Sequence, residues 1–551
     1  MLIDTIEYIF AALGIAVGLY ASLRFIHMLQ LESYQPKMFL KWLRRNVWRD
    51  WLPTILIFII CTLFEVAISF SRGLLNDTYQ LAVQIAVRLI YLLLLGYIGH
   101  SWQKQPTKKP LIYTNRIRRL LLAVVLIMIL INIYPLAMTS VYNVSSEIYI
   151  IVKIFVRIGL YLPALLLPLI VLAAYFITSP IEHANNRRYF NDAQSILKNR
   201  EDLIKIGITG SCGKTSVKYI LGTLLKEKYN TLITPHSYNT PMGTTRVIRE
   251  MLSPNTEVFV AEMGARYIGD IEELCELVSP RIGILTAVGK QHMETFGCQE
   301  NIANTKFELI AALPQNGAAF FNADNTICHA LYARSIVVKN KFLYGIDSRD
   351  ELYMRATDIS VSPQGSVFTL ITQSGDFIEC RTRLLGRHNI VNITAGAAVS
   401  YYLGLTLERI AYGIKNLEPV EHRLQLIPGI VTTIDDAFNS NPDGARAAME
   451  VLRSFDGRKI VVTPGMVELG EEEAIQNEDF GAEMACSADF VILVGKKRAV
   501  PIIRGMEKLN FPSENIFTVG SLDEATAVLS HLTIPGDVVI FENDLPDNYT
   551  E

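Results

Sequence analysis

The sequence predicts an α-helical membrane domain followed by two α/β domains. Three features lead to this prediction: an apolar first third, a glycine loop between a predicted strand and helix, and a second alternation of strands and helices further on. The chain has 551 residues, of which 50% are hydrophobic and only 19% are charged, and its mean hydropathy is +0.27. This composition excludes a wholly soluble protein and a disordered chain. The net charge of −3 gives no indication of nucleic-acid binding, and the seven cysteines form no CxxC pair, which argues against a zinc ribbon.

The apolar first third contains five stretches long enough to cross a bilayer, which takes about 20 residues. These stretches are 4–27, 52–70, 79–99, 119–141 and 155–178. Lysine and arginine are concentrated in the loops 28–51 and 100–118. The positive-inside rule then places the N-terminus outside and everything after residue 180 in the cytoplasm. We therefore expect a multi-pass membrane protein.

Charged residues inside these stretches have two interpretations. Each costs about 2.5–3.5 kcal/mol at the centre of a membrane helix. In one interpretation Arg24 extends its charge to the membrane surface, and Glu65 forms an ion pair with Arg88. In the other, Arg88, Lys153 and Arg157 form a cationic site for a lipid phosphate.

The glycine loop TGSCGKTS covers residues 209–216 and follows the apolar segment 203–209. Glycines allow backbone N–H groups to surround phosphates, and a following helix N-terminus adds to the attraction. Lys214 can reach the β- and γ-phosphates of a nucleotide, and Thr215 can hold Mg²⁺. The loop is shorter than the GxxxxGK[ST] pattern, so the alternative is an ordinary glycine turn. The predicted ATP-binding residues of this loop are Gly210, Ser211, Cys212, Gly213, Lys214, Thr215 and Ser216.

The alternation of strands and helices sets the predicted domain boundaries. Residues 1–180 form the membrane domain, 181–200 a polar linker, 201–417 a P-loop-type ATPase domain, and 418–551 a Rossmann-like domain. Within the third of these, residues 341–385 alternate as antiparallel strands do.

Three further side chains are candidates for the same site. Glu262 ends a predicted strand, where a carboxylate points into the ligand crevice of a parallel sheet and can bind Mg²⁺. His292 follows the next strand, and Lys306 lies on the next helix. Taken singly, each also fits a structural or solvent-exposed role.

Eight segments in order resemble the Mur ligase family, the ATP-dependent, amide-bond-forming enzymes of peptidoglycan synthesis, over about residues 203–540. They are TGSCGKTSVK, EMGARYIGDI, QHMETFG, ANTKFEL, LLGRHNIVNITAGAA, HRLQ, IDDAFNSNP and PGMVELG. Folylpolyglutamate and cyanophycin synthetases share the early segments. The NSNP and MVELG segments favour the branch that adds D-alanyl-D-alanine.

The resemblance implies an ADP-forming reaction. A substrate carboxylate attacks the γ-phosphate of ATP, and an amine then displaces phosphate from the acyl phosphate. It implies catalytic roles for Lys214, His292 and Lys306. It implies metal contacts from Thr215, Glu262, His292 and Lys306, the last as a carbamate. It implies nucleotide contacts from Asn389, Arg423, Asp436 and Asn439. The pattern also predicts Asn441 as a helix N-cap before Pro442.

Three differences from the family pattern bear on the substrate. Five apolar stretches stand in place of the UDP-binding domain, Phe438 stands where tyrosine is usual, and FENDLPDNYTE replaces a lysine–glycine loop. We expect a ligase anchored in a bacterial cell membrane that uses ATP and Mg²⁺ to join D-alanyl-D-alanine or a similar amine to a muramoyl-peptide carboxylate. The alternatives are a lipid-linked wall precursor or another amino-acid polymer as substrate, with membrane lipid as a partner. Two alternatives belong to other functional classes. One is an ATP-driven transporter, which would carry an LSGGQ-type signature, and the other is a non-catalytic scaffold.

Overall fold

The described part of the chain divides into two compact units. The structure, a computed structural model, describes residues 2–70, 77–105, 109–141, 147–336, 338–438 and 440–545. One unit lies within the first 185 residues, and the other runs from Asn186 to Leu545.

Helices make up most of the first unit. They are α1 (Leu2–Leu31), α2 (Pro36–Arg45), a π-helical turn (Val47–Trp51), α3 (Leu52–Phe70), α4 (Asp77–Gln103), α5 (Asn115–Val141), α6 (Glu147–Gly159) and α7 (Leu162–Lys198), which continues into the second unit. Five helical segments of the described residues are long and apolar enough to cross a membrane: Thr5–Leu31, Val47–Phe70, Thr78–Gln103, Asn115–Ala137 and Leu162–Lys198. The predicted number is therefore confirmed by length and composition. The fifth prediction, 155–178, is misplaced because the helix breaks between Gly159 and Leu162.

The charges inside this unit are paired differently from both interpretations. Arg157 Nε lies 3.0 Å and Arg88 Nη2 lies 3.5 Å from Glu7 Oε1, while Tyr161 donates a hydrogen bond of 3.2 Å to Glu65. The predicted Glu65–Arg88 pair is therefore wrong, because Glu7 takes Arg88. Two of the three cations of the alternative lipid-phosphate site, Arg88 and Arg157, face carboxylates, because Glu65 also lies 3.9 Å from Arg157 Nε. The side chain of the third, Lys153, lies outside the described residues.

Arg24 has a carboxylate and an aromatic neighbour inside the first unit. Its side chain is 7% exposed, and its Nε lies 3.3 Å from the fully buried carboxylate of Asp50. The guanidinium also lies 5.7 Å from the centre of the Trp42 ring. Arg24 therefore belongs to a buried ion pair with an aromatic neighbour, and its predicted extension to the membrane surface stays a prediction.

The second unit begins with a nine-stranded sheet and its helices. The elements are β1 (Ile204–Thr209), α8 (Lys214–Leu225), β2 (Thr231–Ile233), α9 (Pro241–Met251), β3 (Val258–Glu262), α10 (Asp270–Val278), β4 (Ile282–Leu285), α11 (Met293–Phe296), α12 (Gln299–Ala311), β5 (Ala318–Asn322), α13 (Thr326–Arg334), β6 (Asn340–Gly345), β7 (Met354–Ser362), β8 (Gly365–Thr372), β9 (Phe377–Thr382), α14 (Arg387–Tyr402) and α15 (Leu407–Lys415). The strand order is β2-β3-β1-β4-β5-β6-β7-β8-β9.

This sheet is parallel from β2 to β7 in that order, and β8 and β9 add antiparallel strands. Its central strands are buried on both faces, with α8 and α14 on one side and α9, α10 and α12 on the other. Because β1 has β3 on one side and β4 on the other, its carboxyl end is where the crevice of such a sheet opens. The antiparallel pairing predicted within 341–385 is confirmed for β7, β8 and β9.

A second, six-stranded sheet completes the unit. Its elements are β10 (Gln425–Ile427), β11 (Thr432–Asp436), α16 (Pro442–Arg453), β12 (Lys459–Thr463), α17 (Glu473–Ala485), β13 (Phe490–Val494), α18 (Lys496–Glu507), β14 (Ile516–Val519), α19 (Leu522–Leu532) and β15 (Val538–Glu542), with 3₁₀ turns at Gly470–Glu472 and Ser513–Asn515. The strand order is β10-β11-β15-β12-β13-β14, and all neighbours are parallel except β10 and β11. Two α/β domains are thus present, as predicted.

Residues 181–198, predicted as part of a linker, are helical. They continue α7, and Phe190, Ala193 and Leu197 are buried in the core of the second unit. Their spacing of three and four residues places them on one face of the helix. The second unit therefore starts before residue 201, and this helical segment is part of its core.

Candidate functional site

The glycine loop connects β1 to α8 at the carboxyl end of the sheet. Gly210 has φ +156°, and a Cβ there would lie 2.0 Å from Thr286 Oγ1. Gly213 has φ +82°, and a Cβ there would lie 2.6 Å from Asn392 Oδ1. Only glycine fits at both positions, so the loop is closely packed against its neighbours and its backbone N–H groups precede the N-terminus of α8.

Lys214 folds back over this loop. Its Nζ donates hydrogen bonds of 2.6 Å to Gly210 O and 3.1 Å to Ser211 O. Burial lowers the pKa of Lys214, and the nearby carboxylate of Glu262 partly opposes that shift. A cation held over a glycine loop at a helix N-terminus is an arrangement that binds phosphate.

Glu262 ends β3 next to the loop, as predicted, and is 1% exposed. Its Oε1 accepts hydrogen bonds of 3.1 Å from Thr215 Oγ1 and from Asn239 Nδ2, and its Oε2 lies 3.0 Å from Lys218 Nζ. Burial raises the pKa of Glu262, but the charges of Lys218 and Lys214 outweigh it and bring the pKa below its usual range. Glu262 is therefore a carboxylate at neutral pH.

Lys306 lies on α12 and is 3% exposed, which contradicts the solvent-exposed alternative. Burial and, to a smaller extent, the positive charge of Lys214 lower the pKa of Lys306 to about 7. A lysine with this pKa is substantially neutral at physiological pH, and a neutral amine is the form that reacts as a nucleophile.

His292 immediately precedes α11 and contacts the second α/β domain. Its Nδ1 lies 2.5 Å from Glu468 Oε2. Burial lowers the pKa of His292, and the hydrogen bond to Glu468 only partly compensates. The imidazole is therefore neutral at pH 7 and can act as a ligand through Nε2.

The predicted nucleotide residues of the second α/β domain approach the same loop. Arg423 Nη2 lies 3.4 Å from Thr215 Oγ1, and its guanidinium lies 4.6 Å from the centre of the Phe438 ring. Asp436, at the end of β11, is opposite Glu542 on β15. Burial raises the pKa of Asp436 to about 6 and that of Glu542 to about 8. Asn439 lies outside the described residues.

Two cavities border Arg423. One of about 410 Å³ is lined by residues that include Thr215, Ser216, Tyr219, Asn389 and Phe438. The other, of about 220 Å³, is lined by residues that include Cys212, Gly213, Asn389, Asp436 and Glu542. Asn389 thus faces both cavities, and its Nδ2 donates a 2.8 Å hydrogen bond to Leu385 O. Asn441 caps α16 by accepting a hydrogen bond from Gly444 N, which confirms the structural interpretation of that residue.

The sequence did not single out four side chains that the structure places in this region. Lys218 is fully buried and also donates to the carbonyl of His236. Asn239, Glu468 and Glu542 contact or border predicted site residues. A signal existed for Lys218, which lies one helical turn after Lys214 on the same face of α8. Glu468 lay within a segment that carried the family resemblance but had no role assigned.

Two family profiles match this chain. The Mur ligase middle domain matches residues 208–400, and the Mur ligase glutamate ligase domain matches residues 422–542. A UDP-N-acetylmuramoyl-tripeptide–D-alanyl-D-alanine ligase from Mycobacterium leprae is 30% identical over 367 residues, which are 61% of this chain and 70% of that enzyme. The chain belongs to the Mur ligase family. The predicted family membership is therefore confirmed.

Other Mur ligases with the same name or fold agree with this. The Escherichia coli enzyme of the same name is 34% identical over 296 residues, 53% of this chain and 64% of that enzyme, just under two thirds of its length. MurF from Thermotoga maritima, solved with ADP, has a TM-score of 0.58 at 26% identity and covers 65% of this chain and 80% of its own. MurF from Acinetobacter baumannii has a TM-score of 0.60 at 25% identity, and the match covers 66% of this chain and 78% of the MurF chain.

The donor set fits a magnesium ion that is shared with phosphate. Among the described residues, no group of three or more His, Cys, Asp or Glu side chains could hold a metal by itself. Mg²⁺ in nucleotide sites keeps several waters and takes one or two protein carboxylates plus substrate phosphates. The Thr215 hydroxyl and the Glu262 carboxylate, 3.1 Å apart beside the glycine loop, match that requirement.

Proposed function

We propose that this Mur ligase is an ATP-dependent, ADP-forming carboxylate–amine ligase that acts on a peptidoglycan precursor. One observation carries the proposal: Lys214, Thr215 and Glu262 surround one glycine loop, and Arg423 reaches that loop from the other α/β domain. Two neighbouring cavities offer space for a nucleotide.

The side chains then have separate roles in the reaction. The N–H groups of residues 210–216 and the Lys214 ammonium bind the phosphates, and Arg423 adds a second cation as charge moves to the leaving ADP. Thr215, Glu262, His292 and Lys306 would hold Mg²⁺, which supplies charge neutralisation at the phosphates when bound. Positioning and charge neutralisation suffice, because an acyl phosphate is already reactive toward a neutral amine.

Lys306 fills this role as a carbamate. The neutral amine nitrogen attacks the carbon of CO₂, a nitrogen–carbon bond forms, and one amine proton passes to water. The product carries a negative charge and hard oxygen atoms, which Mg²⁺ prefers. The pKa of the Lys306 amine, about 7, supports this role because much of the amine is then neutral at physiological pH.

Asn389, Asp436 and Asn439 are the remaining proposed nucleotide contacts. Asn389 and Asp436 line the smaller cavity, and Asp436 ends a strand, where hydroxyl groups of a ribose would meet a carboxylate. Phe438 provides an aromatic face beside Arg423.

The proposed substrates follow from the names of the relatives. A muramoyl-peptide carboxylate and D-alanyl-D-alanine, or a similar amine, are the first pair to test. The five apolar helices favour a multi-pass membrane protein whose two α/β domains face the cytoplasm, where ATP is available. They also favour the second candidate, a ligase for a lipid-linked precursor.

The test is stoichiometric release of ADP and phosphate by the full chain in detergent or nanodiscs. Release is expected only when both the carboxylate and the amine are present, and Lys214→Ala should abolish it. Lys226→Ala, an exposed lysine just past the end of α8, is the matched control and should keep full turnover. ATP hydrolysis that ignores both substrates would instead favour a transporter.

A further inference from the structure

Two loops within the second unit meet at His292. Glu468, in the loop after β12, lies 2.5 Å from His292 Nδ1 and 3.7 Å from Arg266 Nη2. Four residues further on, Glu472 lies 2.7 Å from Lys290 Nζ. Each pair joins one α/β domain to the other, so both form only while the two domains are packed together.

The backbone at this meeting point is unusual. His292 has φ +53° and Glu468 has φ +65°, and neither is glycine. Non-glycine residues in this region cost of order 1–3 kcal/mol, and such positions cluster at functional sites. The two strained residues contact each other through their side chains. We therefore take this contact as the feature of the two loops that calls for a functional explanation.

The chemistry of the contact points to one role. A carboxylate only accepts hydrogen bonds, so the proton lies on His292 Nδ1 and the lone pair lies on Nε2. This is the tautomer that binds a metal through Nε2, and a carboxylate behind the other nitrogen fixes the ring and raises its basicity.

We propose that Glu468 is a positioning residue that the C-terminal α/β domain contributes to the metal centre through His292. Packing of the two domains then completes the metal site, because Glu468 reaches His292 only in the packed state. This proposal rests on the proposed function, which places a metal ion near His292. It goes further by making metal affinity depend on a carboxylate of the other domain.

The neighbouring pair separates this role from simple adhesion between domains. Lys290 and Glu472 are 38% and 35% exposed, and they form an ion pair with each other, whereas His292 pairs with Glu468. Glu472→Ala therefore removes one interdomain ion pair and leaves His292 untouched. If Glu468 served only to hold the domains together, Glu468→Ala and Glu472→Ala would have similar effects.

The experiment measures Mn²⁺ binding to the full chain with saturating ADP, using the electron paramagnetic resonance of free Mn²⁺. Glu468→Ala should weaken Mn²⁺ binding by about 10- to 100-fold, the usual effect of losing an outer-sphere partner of a metal ligand. Glu468→Gln keeps an acceptor oxygen and should lose less. Glu472→Ala should stay within about twofold of the unmutated chain, and ADP affinity without metal should be unchanged in all three.

A double-mutant cycle with His292→Ala decides whether Glu468 acts through His292. The effect of Glu468→Ala on Mn²⁺ affinity should vanish in that background. Equal losses in Glu468→Ala and Glu472→Ala, or a full effect of Glu468→Ala without His292, would overturn the proposal. If the unmutated chain binds no Mn²⁺ with ADP, the proposed metal-dependent function fails instead, and the two failures are thereby distinct.

Discussion

Replacing Lys306 tests the proposed carbamate most directly. Burial brings its pKa from 10.5 to about 7. At pH 7.5 roughly three quarters of such lysines are neutral, against about one in a thousand for an ordinary lysine. The buried position thus raises the reactive amine fraction by nearly three orders of magnitude. The same shift corresponds to a penalty on the order of 5 kcal/mol against the ammonium form.

Three substitutions separate charge, volume and metal binding. Lys306→Arg keeps a permanent cation that cannot form a carbamate, so it should lose nearly all turnover and also destabilise the fold. Lys306→Met removes the charge at similar volume, so it should be inactive but stable. Lys306→Ala should be inactive and should regain part of its turnover when short carboxylic acids occupy the space left by the side chain.

The assay is phosphate release by the full chain with ATP and both substrates, beside the melting temperature of each variant. Acetate and formate should rescue Lys306→Ala and leave Lys306→Met unchanged, because methionine fills the space. A fully active Lys306→Arg or Lys306→Met enzyme would refute the carbamate while leaving the roles of Lys214 and Glu262 intact.

Two further predictions concern stability. Glu542 has its pKa raised to about 8, so the unfolded chain loses this proton from about pH 4.5 upward while the folded chain keeps it. Stability should therefore fall between about pH 4.5 and 8, by up to about 1.4 kcal/mol per pH unit. Glu542→Gln, which can still accept from Ser440 and Thr463, should flatten urea-unfolding stability over that range; an unchanged slope would show that another group is responsible. Residues 186–545 should melt at a higher temperature than residues 201–545, because Phe190 and Leu197 each contribute roughly 1.5–3 kcal/mol on burial. Equal melting temperatures would show that this helical segment is dispensable.

Local patterns in the sequence predicted much of the fold. Apolar runs of about 20 residues, short buried strands and a glycine loop between strand and helix each depend on near neighbours. They were found where expected, except that the fifth apolar helix begins at Leu162 and not at residue 155. The many polar residues of the segment 181–198 suggest a linker, whereas the structure shows a helix there. Its apolar residues 190, 193 and 197 have the three- and four-residue spacing of a buried helix face, a signal that was present but outweighed.

Ion pairs that depend on tertiary packing could not be predicted from the sequence. The sequence suggests Glu65 as the partner of Arg88, whereas the structure pairs Arg88 with Glu7, which is 81 residues away. Nothing in the order of residues favours one carboxylate over the other, because helix packing alone decides which of them faces the arginine.

In the candidate site, too, features set by neighbouring residues could be predicted, whereas contacts between distant residues could not. The glycine loop and Glu262 could be placed from the strands that end beside them. The contacts that join the domains span 176 residues for His292 and Glu468, and 208 for Thr215 and Arg423. A sequence can nominate both members of such a pair, as it did for Thr215 and Arg423, without showing that they touch. Because the proposed phosphate contacts come from both domains and the proposed metal ligand His292 is held by Glu468 of the other domain, substitutions of these interdomain residues should alter turnover even where no substrate is contacted.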